Sequence, residues 1–386
     1  MSQNLNVVIP TLYEALDIVS RELVGLIPSV SRDSNADRAA KNQMVNSHIV
    51  PEVETEDINP GNDPADSGDT DLDNVNITIS KAKAAPVRWT GEEQTAVAHS
   101  GQLQAVQRDR FAQAMRALCN EVERDVASVY DGASRVYGTP GTTPFGSDLS
   151  DVAELLKILK DNGAPIDSLN LVFNTSAGAN LRSLTQLTDV NRSGTDRTLR
   201  QGVLLDVHGF SLRESAGIQT KDVNDEDDGG SITTAGSDNN KGDTEINVNV
   251  ATSGVKVLAG NYVTIGDHKY LVTDEFDEGT GDNKTLKIAK PGLMEDVADG
   301  TSVEQNDADF VANLAFARTA IHLVTRAPAM PQGGDAADDV IEIQDPLSGL
   351  AFQVAMYRQY RRVKYEVGLA WGFKLVKPEH VAVLAG

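Results

Sequence analysis

The chain has 386 residues, with 34 basic and 57 acidic side chains, a formal net charge of −23 and one cysteine, Cys119. Hydrophobic residues make up 40% and charged residues 24%, which suits a folded protein with a sizeable core; at 5% aromatic, that core is built mainly from Val, Leu, Ile and Ala. One thiol makes no intrachain disulfide, and no run approaches the roughly 18 apolar residues of a membrane-spanning helix, so a disulfide scaffold and a helical membrane protein are excluded. The opening MSQNLNVVIP lacks a basic n-region, and Pro10 cuts its apolar stretch. It does not read as a signal peptide, and the expectation is a chain that folds in a cytoplasm.

The charge is concentrated. Glu52 to Asp73 carries −9 with no basic residue, and Gln219 to Asp309 carries −13, which leaves the rest of the chain near neutral. Acidic stretches repel phosphate backbones, so no sequence-reading nucleic-acid site is expected in them; both read first as solvated insertions.

In chain order, Leu12, Leu16, Val19 and Leu23 recur at helical spacing and predict a short helix over 11–26. Residues 29–46 are polar and lack periodicity, so 1–47 reads as an arm. Residues 48–93 read as a long hairpin with a charged tip. Asn59-Pro60-Gly61-Asn62-Asp63-Pro64 is dense in turn formers, Val75, Ile77 and Ile79 alternate with polar residues, and Val87 and Trp89 follow. Such a hairpin has little core of its own and calls for a partner surface. Phe111, Met115, Leu118, Val122, Val126 and Val129 keep one apolar stripe, which predicts a long helix over 94–131 within a unit spanning 94–145, with Cys119 packed among its turns.

Residues 138–146 (GTPGTTPFG) break the chain, and a compact α/β stretch over 146–218 follows. It holds a helix carrying Leu155, Leu156 and Leu159, a strand over 169–173, a helix capped by Asn174 or Thr175, and a strand over 203–212. Residues 219–309 carry short alternating strands around 246–250, 262–265, 270–272 and 286–288, which predict an inserted antiparallel barrel or sandwich. The α/β character resumes over 310–350. In 351–386, Val363 to Leu375 alternates strictly and predicts one long strand with a packed and an open face, preceded by Arg358, Arg361 and Arg362.

The sequence carries no catalytic or metal signature of the common kinds. Gly236 to Gly242 (GSDNNKG) has lysine and glycine in the wrong order for a phosphate loop, and there is no G-x-S-x-G or H-E-x-x-H. The six histidines are scattered, and one cysteine cannot build a thiolate zinc site. The runs DVNDEDD and DEFDE lack the alternating-ligand loop and closing glutamate of a calcium site. No enzyme constellation, metal or cofactor is expected.

The order of arm, long hairpin, long helix, α/β unit, inserted β-domain and closing strand resembles the major capsid (coat) proteins of tailed double-stranded DNA bacteriophages, the α+β Hong Kong 97-type fold. Local stretches resemble the coat proteins of short-tailed Salmonella-type phages. They are Lys41-Asn42-Gln43 to Ile49-Val50-Pro51, Val87-Arg88-Trp89, Leu171-Val172-Phe173-Asn174, Phe316-Ala317-Arg318-Thr319-Ala320, Asp345-Pro346-Leu347-Ser348-Gly349-Leu350 and Gly372-Phe373-Lys374-Leu375-Val376-Lys377-Pro378-Glu379.

The resemblance implies an N-terminal arm (1–47), an E-loop (48–93), a P-domain with a spine helix (94–145), an A-domain in two parts (146–218 and 310–350) around the insertion (219–309), and a closing strand (351–386). It implies pentamers and hexamers that tile an icosahedral virion shell around packaged DNA. A scaffolding protein, a portal protein and a decoration protein are the implied partners. Some relatives cross-link covalently, but no such pair is assigned here. Charge segregation suggests that Glu52, Glu54, Glu56 and Asp57 meet Arg358, Arg361 and Arg362, or Arg108 and Arg110, of an adjacent copy. Two alternatives stay open: a cellular nanocompartment shell of the same fold, and a carbohydrate- or surface-binding module in 219–309 that would use Tyr262, Tyr270 and Phe276.

Overall fold

The computed structural model describes residues 5, 8–23, 25–49, 73–99, 101–189, 204, 206–223, 231–236, 239–251, 255–331, 333–345 and 348–386. Helix α1 (Ile9–Glu22) is followed by strands β1 (Ser31–Ala39), β2 (Met44–Ile49), β3 (Asp73–Thr78) and β4 (Lys81–Thr90), then helices α2 (Gly91–His99) and α3 (Leu103–Ala127). Next come β5 (Arg135–Gly138), α4 (Ser150–Asp161), β6 (Leu169–Phe173), α5 (Thr175–Ser183) and β7 (Phe210–Glu214). Short strands follow: β8 (Thr220–Lys221), β9 (Ile232–Thr234), β10 (Glu245–Val250), β11 (Val255–Val257), β12 (Tyr262–Ile265), β13 (His268–Leu271), β14 (Phe276–Glu278), β15 (Gly281–Lys287) and β16 (Ser302–Gln305). The last strands are β17 (Phe310–Ala317), β18 (Ile321–Pro328), β19 (Asp339–Gln344), β20 (Ala351–Gln359), β21 (Arg362–Leu375) and β22 (Val381–Ala385). The architecture is α+β.

The helix expected over 94–131 is two helices. Gly101 adopts φ +71°, a left-handed turn that suits glycine and ends α2. The helix α3 that follows is 25 residues long, about 37 Å at 1.5 Å per residue. The anticipated stripe holds: Phe111, Met115, Leu118, Cys119, Val122 and Val126 are all buried in the largest core cluster. Helix α1 lays Leu12, Ala15, Leu16 and Val19 into that same core. Within the segment read as an arm, α1 thus packs into the subunit's own core. Residues 31–39, read as featureless, form β1, which runs parallel to β18. Its polar groups are answered across the pairing: Asp33 accepts from the Arg326 guanidinium at 2.8 Å, and Arg38 pairs with Glu342 at 2.8 Å.

Strand β21 is the hub of a six-stranded sheet. Strands β18 and β20 succeed each other along one edge, and β4 pairs along the other from Arg362↔Thr90 to Trp371↔Lys81. The strand expected with an open face is buried on both faces over residues 367–372. Tyr365, Val367, Leu369 and Trp371 join the core with α3, and the Tyr365 ring meets Phe111 edge-on at 5.3 Å. On the opposite face, Ala370 packs with Ile77, Ile79 and Val324. The backbone of Thr78 crosses so closely at Gly372 that a Cβ there would sit 2.1 Å from the Thr78 carbonyl oxygen. The small alternate residues of β21 admit a covering layer that a larger side chain would exclude.

Of the hairpin expected over 48–93, residues 50–72 lie outside the described residues; β2, which starts within the segment read as an arm, pairs antiparallel with β3, from Met44↔Thr78 to Ile49↔Asp73, and β4 joins β21. A second sheet runs in the order β15-β10-β9-β16-β12-β13-β5-β22-β17-β6-β7, with β8 on β17. Against β6 pack α4 and α5 around Leu155, Leu159, Leu171, Phe173 and Leu181. Asn174 caps α5, its side chain accepting from the Ala177 N–H at 2.9 Å. The strand expected over 203–212 begins only at Phe210, after a turn closed by reciprocal Val207–Phe210 hydrogen bonds; residues 203 and 205 lie outside the described residues. The inserted strands are antiparallel, as expected, around a core of their own that includes Ile246, Val248, Val263, Ile265 and Leu286. Their join to the rest of the sheet was not anticipated. It is made by Tyr270↔Arg135 between β13 and β5 and by the two pairs of β8 with β17, Phe310↔Lys221 and Val311↔Thr220.

Candidate assembly surface

Strands β20 and β21 are joined by a two-residue turn, Tyr360–Arg361, closed by the Gln359↔Arg362 pair. Arg361 takes φ +56°, and the start of α2 buttresses its carbonyl, which accepts from the Gly91 N–H at 3.1 Å. Helix α2 itself starts with a reciprocal cap. The Thr90 hydroxyl accepts from the Glu93 N–H, and the Glu93 carboxylate accepts from the Thr90 N–H. This Thr-x-x-Glu signature was present in the sequence and marks the helix start three residues before the expected Gln94.

Helix α2 has no buried residue among its nine. Between it and the β20–β21 turn runs a groove of about 1020 Å³, with Trp89 at its floor, Gln94 and His99 on one wall and Tyr360, Arg361 and Arg362 on the other. Tyr360 is 86% exposed, the most exposed large apolar side chain described. The Arg361 guanidinium lies 5.6 Å from the Tyr360 ring centre. Neither Arg361 nor Arg362 forms an ion pair among the described residues. Two buried donors, Trp89 Nε1 and Gln94 Nε2, have no hydrogen-bond partner among them either. Both of these Nε atoms are buried, so the charge the groove offers outward is that of Arg361 and Arg362, which suits a negatively charged ligand.

The nine residues marked by charge segregation divide as follows. Glu52, Glu54, Glu56 and Asp57 lie outside the described residues. Arg108 is engaged by its neighbour Asp109 at 3.0 Å. Arg110 stacks 4.0 Å above the Trp89 ring and donates to the Arg88 carbonyl at 2.9 Å. Both arginines thus have partners within the subunit. The backbone N–H of Arg358 is held by Asp338 at 2.6 Å, at the base of the turn. Arg361 and Arg362 remain turned to the groove. Beside them the Tyr357 hydroxyl donates to Asp335 at 2.7 Å; burial, then that carboxylate, pushes the phenol up to about 12, so it stays protonated. Sequence reading missed Trp89, Gln94 and Tyr360 as surface chemistry, because only the fold places residues 89–99 beside residues 358–363.

Elsewhere the structure removes alternatives. Tyr262, Tyr270 and Phe276 are 4%, 1% and 4% exposed, so they offer no aromatic platform to a sugar. Three of the four acids of DEFDE are answered by lysines: Asp274 by Lys287 at 3.2 Å, Glu275 by Lys256 at 3.0 Å and Glu278 by Lys284 at 2.8 Å. Among the described residues, no cluster of three His, Cys, Asp or Glu side chains is placed to hold a metal, and no helix is long and apolar enough to cross a membrane.

No protein-family model and no curated protein matches the chain. Solved structures do. A chain from Mycobacterium phage Che8 is 16% identical, with 90% of this chain and 88% of that one covered, at a TM-score of 0.44. The asymmetric unit of the bacteriophage PhiM1 mature capsid is 11% identical, covering 93% and 85%, at 0.43. A virus-like particle from Pyrococcus furiosus is 9% identical, covering 97% and 98%, at 0.43.

Proposed function

We propose that the chain is a structural subunit of a closed protein shell of the Hong Kong 97 type. Copies associate as hexamers and pentamers in the host cytoplasm into an icosahedral virion capsid that encloses double-stranded DNA, and the chain itself catalyses nothing. The observation that carries this reading is the groove at the β20–β21 turn, walled by Arg361 and Arg362, which form no ion pair among the described residues, and by the exposed Tyr360. Its occupant in this reading is the acidic segment of another copy. Glu52, Glu54, Glu56 and Asp57 supply the carboxylates in this reading, and Arg361 and Arg362 the positive charge. Scaffolding, portal and decoration proteins are partners in this reading, and the narrower likeness to Salmonella-type phage coat proteins rests on the sequence stretches.

Sedimentation of the purified chain at high concentration, alone and with its scaffolding protein, tests the reading, with negative-stain microscopy of any fast fraction. Uniform closed shells are expected, and charge reversal by R361E with R362E is expected to abolish or slow their formation and to change its salt dependence. A chain that stays monomeric even with scaffold refutes the shell. Shells whose assembly and salt response are unaffected by the double reversal refute the groove contact alone. Copurification of a cargo enzyme in place of a portal identifies a compartment shell.

A further inference from the structure

The groove beside α2 contains a group that changes charge near neutral pH. His99 is the last residue of α2 and is exposed, and it lines the groove together with Tyr360, Arg361 and Arg362. Its Nδ1 lies 2.7 Å from the Thr95 carbonyl oxygen, one turn back along the helix. A carbonyl oxygen only accepts, so Nδ1 carries the hydrogen and Nε2 is the basic atom of the neutral ring. Proton uptake therefore falls on Nε2 and breaks no bond. The Thr95 contact is kept, and the groove gains one N–H donor and one positive charge. The end of a helix favours that charge, because its last carbonyls lie at the negative end of the helix dipole.

The other groups around the ring decide what the added charge does. Those that carry charge and line the groove are Glu92 on α2 itself, Arg358 on β20, and Arg361 and Arg362 at the turn and the start of β21; Tyr360 adds a phenol. Strand β4 contributes Trp89 and Thr90, which carry no charge. On α3, Arg110 lies 4.0 Å from Glu93, and neither of these two lines the groove. Glu92 is two helical turns before His99, about 10 Å along the axis, which is too far to pair with the imidazolium directly. A proton on His99 thus adds to a wall whose charge is already positive, and it acts on whatever anion the groove holds.

We propose that His99 is the pH sensor of this groove, and that protonation of Nε2 tightens its hold on the acidic segment of a second copy. The inference rests on the groove contact proposed above and adds its regulation. Carboxylates in solution keep most of their charge down to about pH 5, while imidazole gains its own between about pH 8 and pH 5. Over that interval the two partners attract more strongly as pH falls.

The test is fluorescence anisotropy of a labelled synthetic peptide of residues 50–60, titrated with the purified chain at about pH 7.5 and about pH 5.5 and matched low ionic strength. Two variants accompany the parent: H99N, which offers Thr95 an N–H but takes up no proton, and H99K, which is charged at both values. Because His99 is exposed, both variants keep the fold. The parent is expected to bind about 2–5-fold more tightly at the lower pH, the worth of one exposed ion pair, and the step is expected to shrink as salt is added. H99N is expected to bind at both values as the parent does at the higher, and H99K as the parent does at the lower. A parent with one affinity at both values, or an H99N that keeps the full step, overturns the sensor and leaves the groove contact standing. A peptide that binds the parent at neither value overturns the groove contact and the sensor with it.

Discussion

The carboxylate of Asp125, on the last turn of α3, ties three elements together. It accepts from the Lys81 ammonium of β4 at 2.7 Å and from the Trp371 indole N–H of β21 at 2.8 Å. Trp371 is 0% exposed, while the Lys81 side chain is 40% exposed. The two bonds therefore have different worth. The exposed ion pair contributes about 0.5 kcal/mol. Deleting the acceptor strands a buried indole N–H, which costs about 1–3 kcal/mol. Asp125→Ala is expected to lose about 2–3 kcal/mol in all, a fall of about 2–5 °C in a chain of this size. Asp125→Asn keeps an acceptor oxygen and is expected to lose less than half of that. Trp371→Phe removes the donor, so a double-mutant cycle with Asp125→Ala should return a coupling of about 1–2 kcal/mol. High salt should leave that coupling in place, because the buried bond is shielded from ions. Denaturant unfolding of the four proteins gives the cycle. A coupling near zero, or an Asp125→Ala variant within about 0.5 kcal/mol of the parent, would mean that the indole finds another acceptor and that the reasoning fails.

Two further outcomes are expected. Gly372→Ala drives a Cβ to 2.1 Å from the Thr78 carbonyl oxygen, and it should cost about 3 kcal/mol or detach the β2–β3 hairpin, read as earlier cleavage by a protease; Gly279→Ala, with nothing within 4 Å, is the neutral control. Burial, followed by the charges of Asp345 and Glu123, pushes the Cys119 thiol from 9.0 up to about 12. The folded state thus holds this proton more tightly than the unfolded chain. Stability from this group is complete below pH 9.0 and is lost as pH rises from there toward about 12, and a thiol reagent at pH 8 should label Cys119 only after unfolding.

Local signals in the sequence were read well where they were self-contained. Asn174 announces a cap, Tyr262–Ile265 announces a strand, and the α3 stripe from Phe111 to Val126 announces its buried face. The errors share a cause. Whether residues 31–39 are strand depends on β18, nearly three hundred residues away, which supplies both the ladder and the partners of Asp33 and Arg38. Whether β21 has an open face depends on Thr78 and Ile79 crossing over Gly372. The split of the long helix was local, and Gly101 was its signal. The groove was half legible. Arg361 and Arg362 stood out as charge, while Trp89 and Gln94 became donors without acceptors only once β4 lay beside β21.

The position of β21 also sets a timetable for synthesis. Strands β4, β18 and β20 and helix α3 all close on residues 362–375, so the main core has no centre until that stretch emerges. At roughly 5–20 residues per second, the apolar stripe of α1 waits about 20–70 s for the strand that seals the core around it. A nascent chain with contacts this remote folds slowly and shows unpaired strand edges meanwhile. Cells that make it in quantity therefore face a long window in which a chaperone competes with aggregation, and chains stopped before residue 362 are natural substrates for degradation.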